Sequence, residues 1–589
     1  MNAAPAKRRA GVRWIRSCFG GVPAFTSPRG ATAHLFRKVR AGISVEKVEQ
    51  VVFVSMEIHL GGLPTYAGGL GLLAGDLLQS AADLGYPMIG VTLLHDRGYV
   101  WHEVRGGEVV DHDEPYDPLD HHERLDLKLR IRLESGLLHL GVWRHVIRGR
   151  RGEVPVYLLD ANVPENPPEL RGLTSRVYIE RNEDERVLKE LALSLGALEL
   201  VERLGILVKK FHVNESHAGF LAVELLKRYG RIESVKPKLV FTTHTPLPHG
   251  HEEYPYELVE KYYDVPVEIK EMSPDRLRLT LVLMKLAGYY NCVSKKFHMV
   301  HRAMFPGFEP DYITNGVHHT RWVEPRIAAL YDEWLEGWRE EPGRLIHIVS
   351  IPPARAEDVK LRCKRELVEY VNSRAHVNRS FEVGGFIAAA RRRITGYKRV
   401  TLVLRRQELL EELGKRYDLQ IIFSGTVHPR DASGREELER ILDAVTTYAH
   451  VRIAFLGRRG ESLEKLLAAG SDLWLHTPRP PFEACGTSWM RAALNMTPTL
   501  ASRDGGVLEG VVDGHNGWLF GRNIMSPTEP YDESRDEEEF YVKLREALEL
   551  YARDRRRYTL ISMYAAATIG SYFNSHRALG EYIARAYSS

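Results

Sequence analysis

The chain has 589 residues, 44% of them hydrophobic and 27% charged, with a formal net charge of +3. It is too long for one core, so two or more globular domains are expected. The small net charge argues against a nucleic-acid or membrane partner, and no apolar run approaches the ~20 residues that span a bilayer.

Four scattered cysteines (Cys18, Cys292, Cys363 and Cys485) include no C-x-x-C pair, so neither a disulfide framework nor a zinc site is suggested. This usage fits a reducing cytoplasm. Scarce glutamine with abundant Arg and Glu fits a thermophilic source.

Residues 1–45 are basic and contain no Asp or Glu. They lack the continuous apolar segment of a secretory leader and read as a disordered arm. From Val51 the pattern becomes α/β. Val51–Val54 reads as a buried strand. The turn T-Y-A-G-G-L-G-L-L-A-G-D, Thr65 to Asp76, opens a helix over 72–84, and a strand follows over 88–94. Residues 100–165 read as a β-rich insertion, in which Leu125, Leu127, Leu129 and Ile131 alternate with Asp126, Lys128, Arg130 and Arg132.

The next elements are helix 185–204, strand 209–213, helix 217–229, strand 239–243, helix 275–289 and a strand entering Ser294. A second series follows a helical, charged crossing. It comprises strand 346–351, helix 356–372, strand 385–389, helix 407–417, strand 419–424, helix 434–449, strand 451–456 and strand 472–476. The tail from Glu537 is helical. Alternating strands and helices predict an α/β protein with two doubly wound parallel sheets facing one cleft. The expected division is a basic arm (1–45), a first Rossmann-like domain (46–330), a second one carrying the phosphate or cofactor site (331–565), and a C-terminal helix (566–589) that crosses back.

Five stretches carry candidate chemistry. Gly68-Gly69-Leu70-Gly71 lies between a strand and a helix, where backbone N–H groups approach an anion closely. Its spacing is neither G-x-G-x-x-G nor a P-loop. His212-Val213-Asn214-Glu215-Ser216-His217 and Thr242-Thr243-His244-Thr245-Pro246 follow neighbouring strands, at the carboxyl ends where such sheets bind ligands. No third ligand accompanies H-x4-H, so no metal site is expected. Five cations between Arg391 and Arg399 follow an apolar strand and suit phosphate. Finally, Glu483 leads to Gly486 and Thr487 at a helix start, with Thr487 as the expected N-cap and Arg491 one turn on as an added cation.

These residues resemble the α-glucan (glycogen, starch, maltodextrin) phosphorylases, especially their compact prokaryotic branch. The likeness runs from about Phe53 to Phe520. It is carried in order by Y-A-G-G-L-G-L-L-A-G-D from Tyr66, H-V-N-E-S-H-A from His212, F-T-T-H-T-P-L-P from Phe241, T-N-G-V-H from Thr314, R-I-T-G-Y-K-R from Arg393, F-S-G-T-V-H-P-R-D from Phe423 and E-A-C-G-T-S-W-M-R-A-A-L-N from Glu483. The resemblance implies a GT-B fold and transfer of a glucosyl unit, with retention, between the non-reducing end of an α-1,4-glucan and phosphate. It also implies roles for residues. Gly68, Gly69 and Leu70 correspond to the glycine loop over the phosphates, His244 faces the glucosyl unit, and Asn315 and Glu483 bind its hydroxyls. Arg393 and Lys398 clamp the reacting phosphate, Gly486 and Thr487 contact sugar and phosphate, and His217 supports the site.

One position departs from the pattern. The family carries a lysine in G-T-x-x-M-K, linked to pyridoxal phosphate through a Schiff base, and this chain has Arg491 there. A guanidinium is protonated at any workable pH and cannot make that link. Three readings therefore stand. The first is a phosphorylase that holds pyridoxal phosphate or its phosphate non-covalently. The second is an α-glucan synthase using a nucleotide sugar. The third is a glucan-binding protein without turnover. The sequence carries no indication of oligomeric state.

Overall fold

Two parallel sheets organise the computed structural model, which describes residues 48–247 and 250–588. The basic arm of residues 1–45, with Cys18, lies outside the described residues. Both sheets belong to one compact unit beginning at Glu49.

The first lobe opens with strand β1 (Gln50–Ser55), helix α1 (Gly69–Leu84) and strand β2 (Met88–Leu93). A ribbon of β3 (Val100–Arg105) and β4 (Glu108–Asp113) follows, then β5 (Glu123–Leu133), β6 (Gly136–Arg148) and β7 (Glu153–Asp160). Next come α2 (Glu183–Arg203), β8 (Val208–Asn214), α3 (Phe220–Tyr229) and β9 (Leu239–Thr243). A short antiparallel pair, β10 (Glu253–Pro255) and β11 (Arg276–Arg278), leads to α4 (Leu279–Leu286), β12 (Tyr289–Cys292), α5 (Lys295–Met304) and β13 (Asp311–Tyr312).

The nine-stranded sheet runs β13-β12-β9-β8-β1-β2-β7-β6-β5. The seven strands from β13 to β7 are parallel, and β6 and β5 add an antiparallel edge. The expected insertion thus extends the main sheet. The alternation in β5 places Leu129 and Ile131 inside and Lys128, Arg130 and Arg132 outside, as a strand's period of two requires.

Helix α6 (Pro325–Trp334) leads toward the second lobe. The strand expected over 346–351 is instead a 3-10 stretch, Pro342–Ser350. The reason is periodicity: Leu345, Ile348 and Ile351 are the buried residues there, a spacing of three that matches a 3-10 turn rather than a strand. The series continues with α7 (Pro353–Arg374), β14 (His376–Val377), β15 (Phe386–Arg391), α8 (Gln407–Tyr417), β16 (Leu419–Ser424), α9 (Ala432–Thr447), β17 (Arg452–Leu456), α10 (Glu461–Gly470) and β18 (Leu473–His476). Then come α11 (Ser488–Leu494), β19 (Thr499–Ser502), β20 (Gly517–Phe520) and helices α12 (Glu533–Arg553), α13 (Arg555–Ala565) and α14 (Ser575–Tyr582).

The second sheet runs β14-β17-β16-β15-β18-β19-β20, with β14 the only antiparallel strand. Counted from its first parallel strand, this is the 3-2-1-4-5-6 order of dinucleotide-binding sheets. The parallel part of the first sheet has the same order with a seventh strand, β13, added at one edge, and β1 and β8 lie at its reversal point. Ligands bind outside the carboxyl ends of strands at such points. Those ends lead into Glu57 after β1, Glu215 after β8, Arg392 and Arg393 after β15, and Thr477 after β18.

Candidate active site

A cleft of about 820 Å³ collects residues from both lobes, among them Glu57, Glu215, Arg391, Arg392 and Arg393. Gly68, Gly69, Leu70, His217, His244, Asn315, Arg393, Lys398, Glu483, Gly486, Thr487 and Arg491 also line it. The residues singled out from the sequence are therefore brought together. The contacts they make differ in several places from what was expected.

The glycine loop has its own internal anion. Glu57 Oε2 accepts from the Ala67 N–H (2.5 Å) and the Gly68 N–H (3.1 Å). Burial raises the Glu57 carboxyl's pKa, while these two N–H groups and the Arg459 charge oppose the rise. The first N–H groups of the 16-residue α1 remain at the cleft wall, where an anion is favoured. A methyl group on Gly68 or Gly69 would meet open space, whereas one on Gly71 would strike Tyr66 and Glu57. Gly71 is required by packing, and Gly68 and Gly69 leave room for a ligand.

His244 is oriented by a chain of donors. Asn214 Nδ2 donates to Ser55 Oγ (3.1 Å), which leaves Asn214 Oδ1 to accept from His244 Nε2 (2.8 Å). The imidazole therefore carries its proton on Nε2 and offers a bare Nδ1 lone pair. Burial lowers its pKa to about 3, so the ring is neutral. The His244 backbone N–H donates to Glu215 Oε2 (2.7 Å), which also accepts from the Thr245 hydroxyl (3.0 Å). Burial lifts Glu215 to about 7 despite these donors. His217 stands 3.5 Å from Glu252, and its Nδ1 is buried without a protein partner. Asn315 accepts from Arg577 through its backbone carbonyl (3.1 Å).

On the opposite wall, Glu483 is clamped by Lys398 and by Arg392 Nη2 (3.2 Å). Burial alone would raise the Glu483 pKa, but these cations, Lys398 foremost, hold it low. Arg392 keeps Nε and Nη1 buried with no protein partner. Among the described residues no carboxylate closes within ion-pair distance of Arg393, which is exposed to the cleft. Arg393 thus presents uncommitted positive charge near Glu483, and Arg392, paired with Glu483, keeps two further N–H groups without a protein partner. The rest of the basic run is structural: Arg391 pairs with Glu464 (3.3 Å) and Arg399 with Asp536 (3.0 Å).

Thr487 takes the cap position of α11 but makes no side-chain cap bond. Its hydroxyl instead accepts from Arg491 Nη1 (2.9 Å). Arg491 Nε donates to Glu464 Oε1 (2.5 Å), and the guanidinium lies 4.8 Å from the Trp322 ring centre. Arg491 is therefore no free cation in the cleft: it shares the buried Glu464 carboxylate with Arg391. Gly486 is fixed by packing, since a Cβ there would meet His476 Cε1 at 2.4 Å.

Sequence reading did not single out Glu57 or Glu464, and took in Arg392 and Glu215 only as members of longer motifs. The available signal was position, because Glu57, Glu215 and Arg392 each lie one or two residues past a strand end.

Comparison with known proteins places this geometry. No protein-family profile matches the chain. A glycogen phosphorylase of Aquifex aeolicus is 33% identical over 604 residues, spanning 91% of this chain and 86% of that protein. The chain belongs to the α-glucan phosphorylase family. A maltodextrin phosphorylase of Thermococcus litoralis is 30% identical and covers 92% of this chain and 70% of its own length. A glycogen phosphorylase of Mycobacterium tuberculosis is 31% identical, covering 93% and 72% respectively.

Membership in the phosphorylase family implies pyridoxal phosphate, and the residues present do not fit its covalent attachment. Arg491, where the sequence resemblance leads to the expectation of a lysine, is engaged by Glu464 and Thr487. The cleft's one lysine among the described residues, Lys398, is bound to Glu483. No helix is long and apolar enough to cross a membrane among the described residues.

Proposed function

We propose that this protein transfers a glucosyl unit between the non-reducing end of an α-1,4-glucan and phosphate, with retention, as an α-glucan phosphorylase. The supporting observation is the uncommitted charge of Arg393, with the unpartnered Arg392 N–H groups beside Glu483, across the cleft from the glycine loop and the neutral His244. In this reading phosphate lies between Arg393 and the open Arg392 N–H positions, with Lys398 adding charge. Preorganised cations hold its developing charge without reorganisation. The phosphate passes its proton to the departing glycosidic oxygen, and its anion stabilises the oxocarbenium-like centre before bonding to the same face. Glu483 and the His244 Nδ1 lone pair accept hydrogen bonds from sugar hydroxyls. Asn315, His217, Gly486 and Thr487 complete the sugar pocket, and Gly68, Gly69 and Leu70 close over the phosphate.

The engaged Arg491 favours one second reading. With no amine to anchor the cofactor, the anion between Arg393 and Arg392 is the diphosphate of a nucleoside-diphosphate glucose, and the protein extends glucans.

Two assays separate these readings. The protein as purified is expected to release glucose 1-phosphate from maltodextrin in proportion to phosphate. Arg393→Ala is expected to lower kcat by about 10²–10³-fold with an unchanged melting temperature, because no protein carboxylate loses its partner. Absence of phosphate-dependent release together with chain extension from ADP- or UDP-glucose would reverse the assignment. Glucan binding with neither activity would remove both.

A further inference from the structure

A second constellation lies away from the cleft, where the C-terminal helix returns to the first lobe. Val317 and Asn574 form an isolated parallel bridge. The Val317 N–H donates to the Phe573 carbonyl (3.0 Å) and the Ser575 N–H to the Val317 carbonyl (3.0 Å). The two backbones touch so closely that a Cβ on Gly316 would meet Asn574 backbone atoms at 2.3–2.8 Å. This bridge sets His318 and His319 against His576 on α14. One ligating atom from each of the three lies within 4.8 Å of the others, and all three residues are buried.

Their tautomers follow from their partners. His319 Nε2 lies 2.8 Å from the Arg339 carbonyl, which only accepts, so Nε2 carries the proton and Nδ1 is a bare lone pair. His576 Nε2 meets Asp83 Oδ2 at 3.4 Å. The Asp83 carboxylate is also the acceptor for the Arg150 N–H (3.1 Å) and for His318 Nε2 (3.0 Å). As an anion it only accepts, so His576 Nδ1 is also a bare lone pair. Neither Nδ1 has a protein partner, and both are buried. His318 donates through Nε2 to Asp83 (3.0 Å), and its Nδ1 receives the Arg321 N–H and the Thr320 hydroxyl, each at 3.2 Å. Two of the three rings thus present lone pairs with nothing to give up, and the third exchanges two weak contacts.

We propose that His318, His319 and His576 bind a borderline divalent transition metal, zinc in first place, which fastens α14 to the first lobe. Imidazole nitrogens are the donor class such ions favour. Zinc at about 2.0–2.1 Å from tetrahedral ligands sets those nitrogens ~3.4 Å apart, a closure that small ring rotations supply. Asp83 then fills the outer role common at histidine-bound metals, an acceptor behind the ring that fixes its tautomer and raises its basicity. The sequence suggested no metal here because His576 stands far along the chain from His318 and His319. The inference does not depend on the reaction assigned to the cleft.

The test uses untagged full-length protein stripped with EDTA and dialysed against ZnCl2 or CoCl2. We expect about one equivalent of metal by elemental analysis, visible ligand-field bands of four-coordinate cobalt, and a melting temperature that rises with micromolar zinc and falls back with EDTA. His319→Gln and His576→Gln should lose the metal and the shift, and Asp83→Asn should weaken affinity ~10–100-fold. Should the variants fail to fold, the wild-type cobalt spectrum decides alone. Failure of the wild type to retain either metal, or retention unchanged in both histidine variants, overturns the proposal and leaves the lone pairs to a buried water.

Discussion

Single side chains gave the sequence its most readable signal. The motif residues His244, Asn315, Arg393, Lys398 and Glu483 all line one cleft, because each follows a strand end and the strand ends converge. Partnership was not readable. Nothing in the sequence indicates that Glu464, on α10, pairs with both Arg491 and Arg391, while Arg393 is left without a carboxylate, since both depend on the approach of separate elements. Glu215 is the residue whose environment makes the sharpest solution prediction. Its folded pKa is raised by burial to about 7 from 4.5. As pH rises from 4.5 to 7, the unfolded chain releases this proton first, so the folded state loses stability over that window. Two and a half units correspond to on the order of 3 kcal/mol. Glu215→Gln keeps the neutral form at every pH. The stability difference between variant and wild type, from denaturant titrations at pH 4.5 and 7.5, is therefore expected to move by that order in favour of the variant. A difference independent of pH would remove the raised carboxyl.

Elements were read well where hydrophobic period and turn chemistry agreed. The structure matches the expected strands over 239–243 and 419–424 residue for residue. The failure at 346–351 arose because a short apolar run does not declare its period, and tertiary packing selected a spacing of three. The last helix and its return were expected from the sequence, but the residues it docks on were not. α14 lies on α1, where Ser575 and Ser80 share a hydrogen bond of 2.6 Å. Beyond it, the Tyr587 hydroxyl meets His212 at 2.6 Å. Leu579 of α14 is fully buried in the cluster with Leu77, Leu78 and Ala81 of α1. Leu579→Ala should therefore cost ~2–5 kcal/mol, removing both transfer energy and packing. Chemical denaturation measures this directly, and a loss below about 1 kcal/mol would mean that the helix is not docked as described.

At the scale of the molecule, strand order was beyond the sequence, yet it decides where the cleft lies. Both sheets reverse order at their first strands, so both present carboxyl ends to the same space. The lobes are also joined across that space. The β3–β4 ribbon of the first lobe packs Val104 and Val109 on the second lobe's core. The His102 N–H donates to the Gly457 carbonyl (2.9 Å), and His102 Nε2 accepts from the Val427 N–H (2.7 Å).

Arg459 is the central tie. From the second lobe it donates to the carbonyls of Tyr66 (2.6 Å) and Ala67 (3.2 Å), pairs with Glu114, and lies 5.1 Å from both the Tyr66 and Tyr99 ring centres. One guanidinium therefore holds the glycine loop against the opposite lobe. Arg459→Ala frees two carbonyls and a half-buried carboxylate, and the loop loses its fixed distance from Arg393. Misplacement of a binding group by about 1 Å costs on the order of 10²-fold in rate, so kcat/KM should fall by about that factor. Hydrogen exchange of the amides from Leu63 to Gly71 should quicken in the same variant. Arg459→Lys, which keeps the charge but not the fork that joins the two carbonyls to Glu114, should fall between wild type and Arg459→Ala. If exchange in the loop and turnover both stay at wild-type values, Arg459 is a surface tie with no part in setting the cleft.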